Sequence, residues 1–362
     1  MKKISKETSR HILMIGEYFK NSAPGGMAAV LASYDENIEN MQFVPSWKNG
    51  GLGTKLWYAI YSYAVFVCYM LFDKGIRIVH IQGAAFASFE RNTFFVRVGK
   101  AFGKKVILHM HCADFETYFR PSNHKNRILN TINSCDKFIV LSEEWKDYFS
   151  SIGVSKEIIV VLNNTISLPI VQNMSYTEEE KAKLKLLYLG IIGQRKGIYD
   201  LLNVIVSDVN LYRGRLSLHI GGNCEEEKIK KIIADNGIDD IVIFEGFVKG
   251  DNKIRDLNWA DVFILPSYNE GLPIAILEAM SYGMPIISTK VGGIPSIVKN
   301  DINGKLIEAG NLKQIKDSLD YYLNHRDMVK THGTQSLNMV KPFLPEGVFC
   351  SLTGIYNELL IC

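Results

Sequence analysis

Two glutamates, Glu270 and Glu278, stand eight positions apart in the segment NEGLPIAILEAMSYGMPII, residues 269–287. An apolar run, VFILPS (262–267), precedes them and reads as a strand. Glu270 then falls in a tight loop, and Glu278 in the apolar helix that follows. A strand, a tight loop and the start of a helix present free backbone N–H groups to an anion such as phosphate, here at Gly271 and Leu272, with Pro273 opening the helix. Pro273 suits the first helical turn, where its missing N–H leaves nothing unpaired. Two placed carboxylates can hold the hydroxyls of a sugar or a ribose. Glu278 lies among Ile274, Ile276, Leu277 and Ala279, where an unpartnered carboxylate is costly, so a partner is expected.

Other residues of suitable type also follow apolar runs. In LGIIGQRKGIYDLL, Arg195 and Lys196 come after Gly193, and Gly197 opens the next helix. Arg offers a planar fork and Lys a point charge, a pairing that clamps a diphosphate. A solvated basic turn is the competing reading. Gly221 and Gly222 end another run, where glycine lets a ligand approach the backbone. Phe247 and Val248 follow a third, as candidates for packing on a nucleobase or for the core. In the first half, Gly25 and Gly26 lie in the loop between a strand and a helix. The run KVILHMH (105–111) ends on His109 and His111, which share a face if both stay in the strand. His109 reads as a packed core histidine. Asp114 is a candidate to orient His111. GxGxxG follows none of the strands, which argues against a nicotinamide dehydrogenase.

Short β-branched runs that position these residues recur along the chain at 11–16, 76–82, 105–111, 137–142 and 158–163, then at 184–190, 215–222, 241–246, 262–267 and 285–290. Each is apolar on both alternate positions, the pattern of strands in a parallel sheet covered on both faces. Helical stretches separate them. Two such series in 362 residues imply two doubly wound domains. The expected division is 1–167, a polar linker 168–180, and 181–344. The last segment, 345–362, has Phe349, Leu352, Ile355, Tyr356 and Leu359 on one helical side.

Six cysteines show no CxxC spacing, so zinc and a disulfide framework are not expected, and a reducing cytoplasmic setting fits. Residues 1–167 hold 20 Lys and Arg against 14 Asp and Glu, a basic half whose partners would be anionic. The run WYAIYSYAVFVCYMLF (57–72) is short for a span and reads as a helix buried against a sheet, with insertion in a membrane as the competing reading. The stretch RNTFFVRVGKAFGKK (91–105) places Arg97, Lys100 and Lys104 at helical spacing. It reads either as an ordinary solvated crossover helix or as a surface for an anionic membrane. Arg120, Lys125 and Arg127 add basic character nearby.

The pattern from Pro266 to Val298, with its later GGIPSIV, resembles the donor-binding motif of the retaining glycosyltransferases of the GT-B fold, family 4 type. That resemblance implies two Rossmann-like α/β domains facing a cleft, with the terminal helix crossing back to the first. It implies an N-terminal acceptor domain and a C-terminal nucleotide-sugar domain. It assigns Arg195 and Lys196 to the donor diphosphate, Glu270 to the transferred sugar and Glu278 to the ribose. The backbone near Phe247 and Val248 then meets the base, and Gly222 and Gly26 line the donor. His111 matches the family's active-site histidine, although Cys112 stands where that family usually has Gly. The implied reaction is retaining transfer from a nucleotide sugar, with UDP the commonest base, to a glycan or polyprenyl-diphosphate-linked acceptor in bacterial surface polysaccharide assembly. No cofactor and no metal are expected, since a DxD motif is not seen. The protein would be cytoplasmic, or peripheral on the cytoplasmic face of the inner membrane, with no nucleic-acid partner. An epimerase of the same fold and a non-catalytic sugar-binding or membrane-adaptor protein stay open as alternatives.

Overall fold

The structure is a computed structural model that describes residues 3–20, 26–111, 114–172 and 174–361. Gly25 and Cys112 lie outside the described residues. The chain divides into two compact units, Met1–Ser167 with Pro342–Cys362, and Leu168–Lys341.

The first unit is built on six strands: β1 (Ile12–Glu17), β2 (Gln42–Trp47), β3 (Ile78–Gly83), β4 (Lys105–Met110), β5 (Lys137–Val140) and β6 (Ile159–Val161). They lie in the order β2-β1-β3-β4-β5-β6, with every pair parallel. Parallel neighbours need crossovers, and helices supply them on both faces. The strands are therefore apolar throughout, and Leu13, Ile15, Val79, Ile81, Leu108 and Phe138 are fully buried. Each such side chain contributes roughly 1.5–3 kcal/mol over leaving it exposed.

Helix Ala87–Ala101 packs on β3 and β4, with Phe95 and Val96 buried. A methyl group at Gly99 would stand 3.1 Å from a Val106 methyl, which shows how close the helix comes. This is the form of the crossover helix that the sequence allows for 91–105. Its apolar side is spent on the sheet, Lys100 pairs with Asp136 at 2.7 Å, and Lys104 donates to the Ile76 carbonyl at 2.6 Å. Arg120 and Arg127 are likewise paired, with Glu116 and Glu90. Helix Leu52–Phe72 differs from its expectation. Only Ser62, Phe66 and Met70 are buried, so it lies across the unit with most of its apolar surface outside.

The closing helix, Pro345–Ile361, belongs to this first unit. Phe349, Leu352, Ile355, Tyr356 and Leu359 are all buried, as the sequence period implies. Phe349 meets Tyr34 edge to face, with ring centroids 5.2 Å apart.

The second unit repeats the plan with β7 (Leu184–Leu189), β8 (Leu216–Gly221), β9 (Val242–Gly246), β10 (Val262–Leu265), β11 (Ile286–Thr289) and β12 (Gly304–Ile307). Their order is β12-β11-β10-β7-β8-β9, again all parallel. The polar stretch after Ser167 is docked on this unit. The Ile170 N–H donates to the Tyr282 hydroxyl at 3.1 Å, and the Gln172 N–H to Asn258 Oδ1 at 2.8 Å.

Each sheet has one place where chain order reverses, between β1 and β3 and between β7 and β10. Parallel strands all point one way, so the loops after them emerge together. Ligands of such sheets bind at those loops, beside the reversal.

Candidate functional site

In the second unit, the loops flanking the reversal are the ones the sequence singles out. After β7 comes a short 3-10 turn, Gln194–Lys196. After β10 comes the loop 266–273, and then helix Ile274–Ser281. The two loops are tied together. The Tyr268 N–H donates to the Arg195 carbonyl at 2.8 Å, and Arg195 Nη1 donates to the Asn269 carbonyl at 3.0 Å. Lys196 Nζ meets Glu270 Oε1 at 2.5 Å, and the Ser267 hydroxyl donates to the same oxygen at 2.7 Å. The Lys196 and Glu270 side chains are only 14% and 7% exposed, so this ion pair is largely desolvated. Tyr268 adds a third tie through its hydroxyl to Asp200 Oδ2 at 2.8 Å.

Glycines allow this packing. Gly197 has φ +70°, and a Cβ there would sit 2.0 Å from the Pro266 carbonyl oxygen. Gly292, in the loop after β11, has φ +53°, and its Cβ would reach 1.7 Å from the Glu270 carbonyl oxygen. The adjacent Gly293 N–H donates to the Gly271 carbonyl at 2.7 Å. Leu272 is buried beneath the loop, and Pro273 stands at the N-cap rather than inside the helix. The loop that carries Glu270 is thus clamped from both sides.

Glu278 has the partner its apolar neighbours require. Lys253, from helix Gly250–Trp259, meets it at 2.6 Å. Sequence reasoning missed Lys253; the signal was a lone lysine in the helix after β9. A Cβ at Gly222 would stand 2.1 Å from the Gly190 carbonyl oxygen, so the packing between loops already requires a glycine at this position. Val248 packs over Gly221, while Phe247 beside it is exposed. Gly26 begins helix Gly26–Asn37 in open space.

In the first unit, His111 lies just past the end of β4. Its Nε2 stands 2.5 Å from Gln82 Oε1, and its ring lies 4.0 Å from that of His109. Asn164 also hydrogen-bonds it. Gln82 Nε2 in turn lies 3.1 Å from His80 Nε2, and His80 Nδ1 lies 2.7 Å from the Tyr356 hydroxyl. An amide oxygen only accepts and an amide nitrogen only donates, so the chain runs one way. His111 donates from Nε2 to Gln82, Gln82 donates to His80 Nε2, and His80 donates from Nδ1 to Tyr356. His111 Nδ1 is buried away from solvent. Burial pushes the His111 imidazole down to about 4, and the Asn164 hydrogen bond offsets part of this. At neutral pH the ring is uncharged. Gln82 is the orienting residue that the sequence did not reveal; Asp114 instead precedes helix Phe115–Phe119 at its N-cap. His109 is fully buried, as expected of a core histidine.

Glu17 ends β1 at the reversal of the first sheet. Burial raises its carboxyl to about 7, against the lowering influence of Arg91. A raised carboxyl contributes stability that is complete below its unfolded value near 4.5 and is lost as pH rises through about 7. His111 and His80, pushed down to about 4 and about 3, act oppositely, contributing above pH 6.5 and losing it on acidification. Glu17→Gln is expected to flatten the decline in unfolding free energy between pH 5 and 8. It should add about 1–2 kcal/mol at pH 8 after solvent screening, with the acid limb unchanged. Urea titrations across pH check this, and an unaltered slope above pH 5 would refute it.

Among the described residues, one set of side chains has a metal-like grouping: His219, Glu245 and Asp256 in the second unit. The Arg255 guanidinium already bridges the two carboxylates, at 3.2 Å and 3.0 Å, and supplies the positive charge a cation would bring. The His219 ring stacks on Trp259 at 3.6 Å.

Comparison with known proteins agrees with this geometry. Residues 172–336 match the family described as Glycosyl transferases group 1. The chain is 25% identical over 264 residues to an uncharacterized 41.2 kDa protein in the cps region of Klebsiella pneumoniae, covering 68% of this chain and 70% of that one. It is 25% identical over 222 residues to the amylovoran biosynthesis glycosyltransferase AmsK of Erwinia amylovora, covering 59% and 53%. With most of the curated relatives it matches, the shared stretch spans about half to two thirds of their length. Among solved structures, Anabaena HepE in complex with UDP-glucose superposes with a TM-score of 0.72 at 15% identity, over 97% of this chain and 99% of that one. Identity that low speaks to fold alone, and the fold is GT-B: two Rossmann-like α/β domains.

Proposed function

We propose that this chain, whose residues 172–336 match the glycosyl transferases group 1, moves a sugar from a nucleoside-diphosphate donor to a glycan or lipid-linked acceptor. The observation that carries this reading is the meeting of Arg195, Lys196 and Glu270 at the sheet reversal, under the start of a helix. Arg195 and Lys196 take the diphosphate, together with the backbone at Gly271–Pro273. Their charge stabilises the leaving group as its negative charge grows. A phosphate oxygen competes with Glu270 for Lys196, and the displaced Glu270 turns to the sugar hydroxyls. Glu278, held by Lys253, accepts from the ribose hydroxyls. Phe247 covers the base, with Val248 as its support.

The transfer is retaining and needs no metal in this reading. The bond from the anomeric carbon to the leaving phosphate oxygen breaks, a bond to the acceptor oxygen forms on the same face, and the acceptor proton passes to the leaving phosphate. His111 belongs to the acceptor side in this reading. The UDP-glucose in HepE's description supports UDP as the first base to test, and the names of AmsK and the cps-region protein support polysaccharide assembly as the setting.

Arg195 gives the cleanest test, because it is exposed and its loss leaves no buried charge. Arg195→Ala is expected to lower kcat/KM for release of nucleoside diphosphate by roughly 10–150-fold, the loss of a charge-assisted bond of about 1.5–3 kcal/mol. Melting temperature should be nearly unchanged. Wild-type turnover in this variant would remove the diphosphate assignment. Product formed from donor alone, with no acceptor present, would point to an epimerase instead.

A further inference from the structure

Helix Leu52–Phe72 carries an apolar face that the fold does not use. Leu52, Leu56, Trp57, Ile60, Leu71 and Phe72 are each more than half exposed, at 52–85%, and Tyr61 is 42% exposed. They recur at helical spacing along one side, over about 30 Å of helix axis at 1.5 Å per residue. The other side is anchored. Phe66 and Met70 are buried, and Phe66 meets Phe95 of the neighbouring helix with ring centroids 5.1 Å apart. A groove of about 550 Å³, lined by Ala64, Val65, Cys68, Tyr69, Phe72 and Asp73, continues the apolar surface.

The charge beside this face is concentrated at its N-terminal end. The helix contains no Asp or Glu, and its one charged residue is Lys55, in its first turn. Lys48 precedes it, while at the far end Asp73 caps the helix beside Lys74, so that end carries no net charge. Trp57 and Tyr61 stack near the lysine end, with centroids 6.5 Å apart. An apolar face with Trp and Tyr beside a basic end matches a bilayer interface whose headgroups are anionic. The helix is long and apolar enough to cross a membrane. Its packed side rules that out here, because Phe66 and Met70 face protein.

We infer that helix Leu52–Phe72 is a membrane-docking element that lies in the plane of one anionic leaflet, with Leu56, Trp57, Ile60 and Phe72 entering the acyl boundary and Lys48 and Lys55 at the headgroups. This is independent of the glycosyl-transfer reading, since it uses none of that site's residues.

Vesicle flotation of the full chain tests it. Binding to vesicles with about one third phosphatidylglycerol is expected, with little binding to pure phosphatidylcholine and weakening at high salt. Trp57→Glu with Ile60→Glu should reduce the bound fraction at least tenfold. Both positions are exposed, so the fold is retained, checked by an unchanged melting temperature. Lys48→Glu with Lys55→Glu should abolish the preference for anionic vesicles. Arg97→Glu, on the packed neighbouring helix, should leave binding intact. Vesicle binding that survives the Trp57 and Ile60 changes would overturn the inference. So would failure to bind vesicles together with a dimer in sedimentation velocity that those same changes dissolve, which would make a second copy the occupant.

Discussion

Lys196→Met is expected to fail twice over, and the two failures separate. The first is stability. Lys196 and Glu270 form a desolvated pair, so removing the lysine strands a carboxylate that keeps only the Ser267 hydroxyl. Breaking a buried pair from one side costs about 3–5 kcal/mol, while removing both charges is close to neutral. Glu270→Gln in the same chain should therefore restore most of the lost melting temperature. The second failure is turnover. With the cation gone, release of nucleoside diphosphate should drop by about two orders of magnitude, and the double variant should stay as slow as the single. Thermal melts beside steady-state kinetics on the four chains of this cycle read both effects. Recovery of turnover with stability would show that Lys196 only holds the loop.

Gly292→Ala should be the most damaging single methyl group in the second unit. The added Cβ falls 1.7 Å from the Glu270 carbonyl oxygen, and the backbone at φ +53° resists a side chain as well. Nothing flexible stands in the way, only backbone, so the loop bearing Glu270 must move. A loss above about 4 kcal/mol is expected, seen as a fall in melting temperature or in soluble yield. Gly26→Ala is the matching control. It begins a helix in open space, so the change should cost nothing and even gain up to about 1 kcal/mol. If Gly292→Ala melts within two or so degrees of wild type, at about 2–4 °C per kcal/mol for a domain this size, the clamp on the loop is not as described.

The ten apolar runs read from the sequence are all strands, because a buried parallel strand must be apolar on both faces and little else in a chain has that look. The two strands that escaped notice, β2 and β12, are the outer edges of their sheets. β2 carries Pro45, which an edge tolerates and a central strand does not. β12 is four residues long, with a lysine second. Site residues were legible where a charged side chain follows a strand: Arg195, Lys196, Glu270 and Glu278. Their partners were not. Lys253 and Gln82 lie on other elements, and only the pairing of the sheet brings them in. Exposure was the least legible property. The run 57–72 is apolar at every position but Ser62 and yet is left largely on the outside, whereas the far more polar 91–105 is packed between sheet and neighbours. Apolar content in a single chain does not by itself say which helix will be covered.

The one-way run of hydrogen bonds from His111 to Tyr356 has a consequence for how the first unit is assembled. Its last donor–acceptor link crosses 276 positions of sequence, from β3 to the closing helix. Seating that helix is what gives the buried His80 Nδ1–H its acceptor, the Tyr356 hydroxyl. Without it a donor in the middle of the sheet would have no partner, at a cost of about 1–3 kcal/mol. The final helix therefore completes a polar path through an otherwise apolar interior, and it secures β3 by a directed bond as well as by its apolar face.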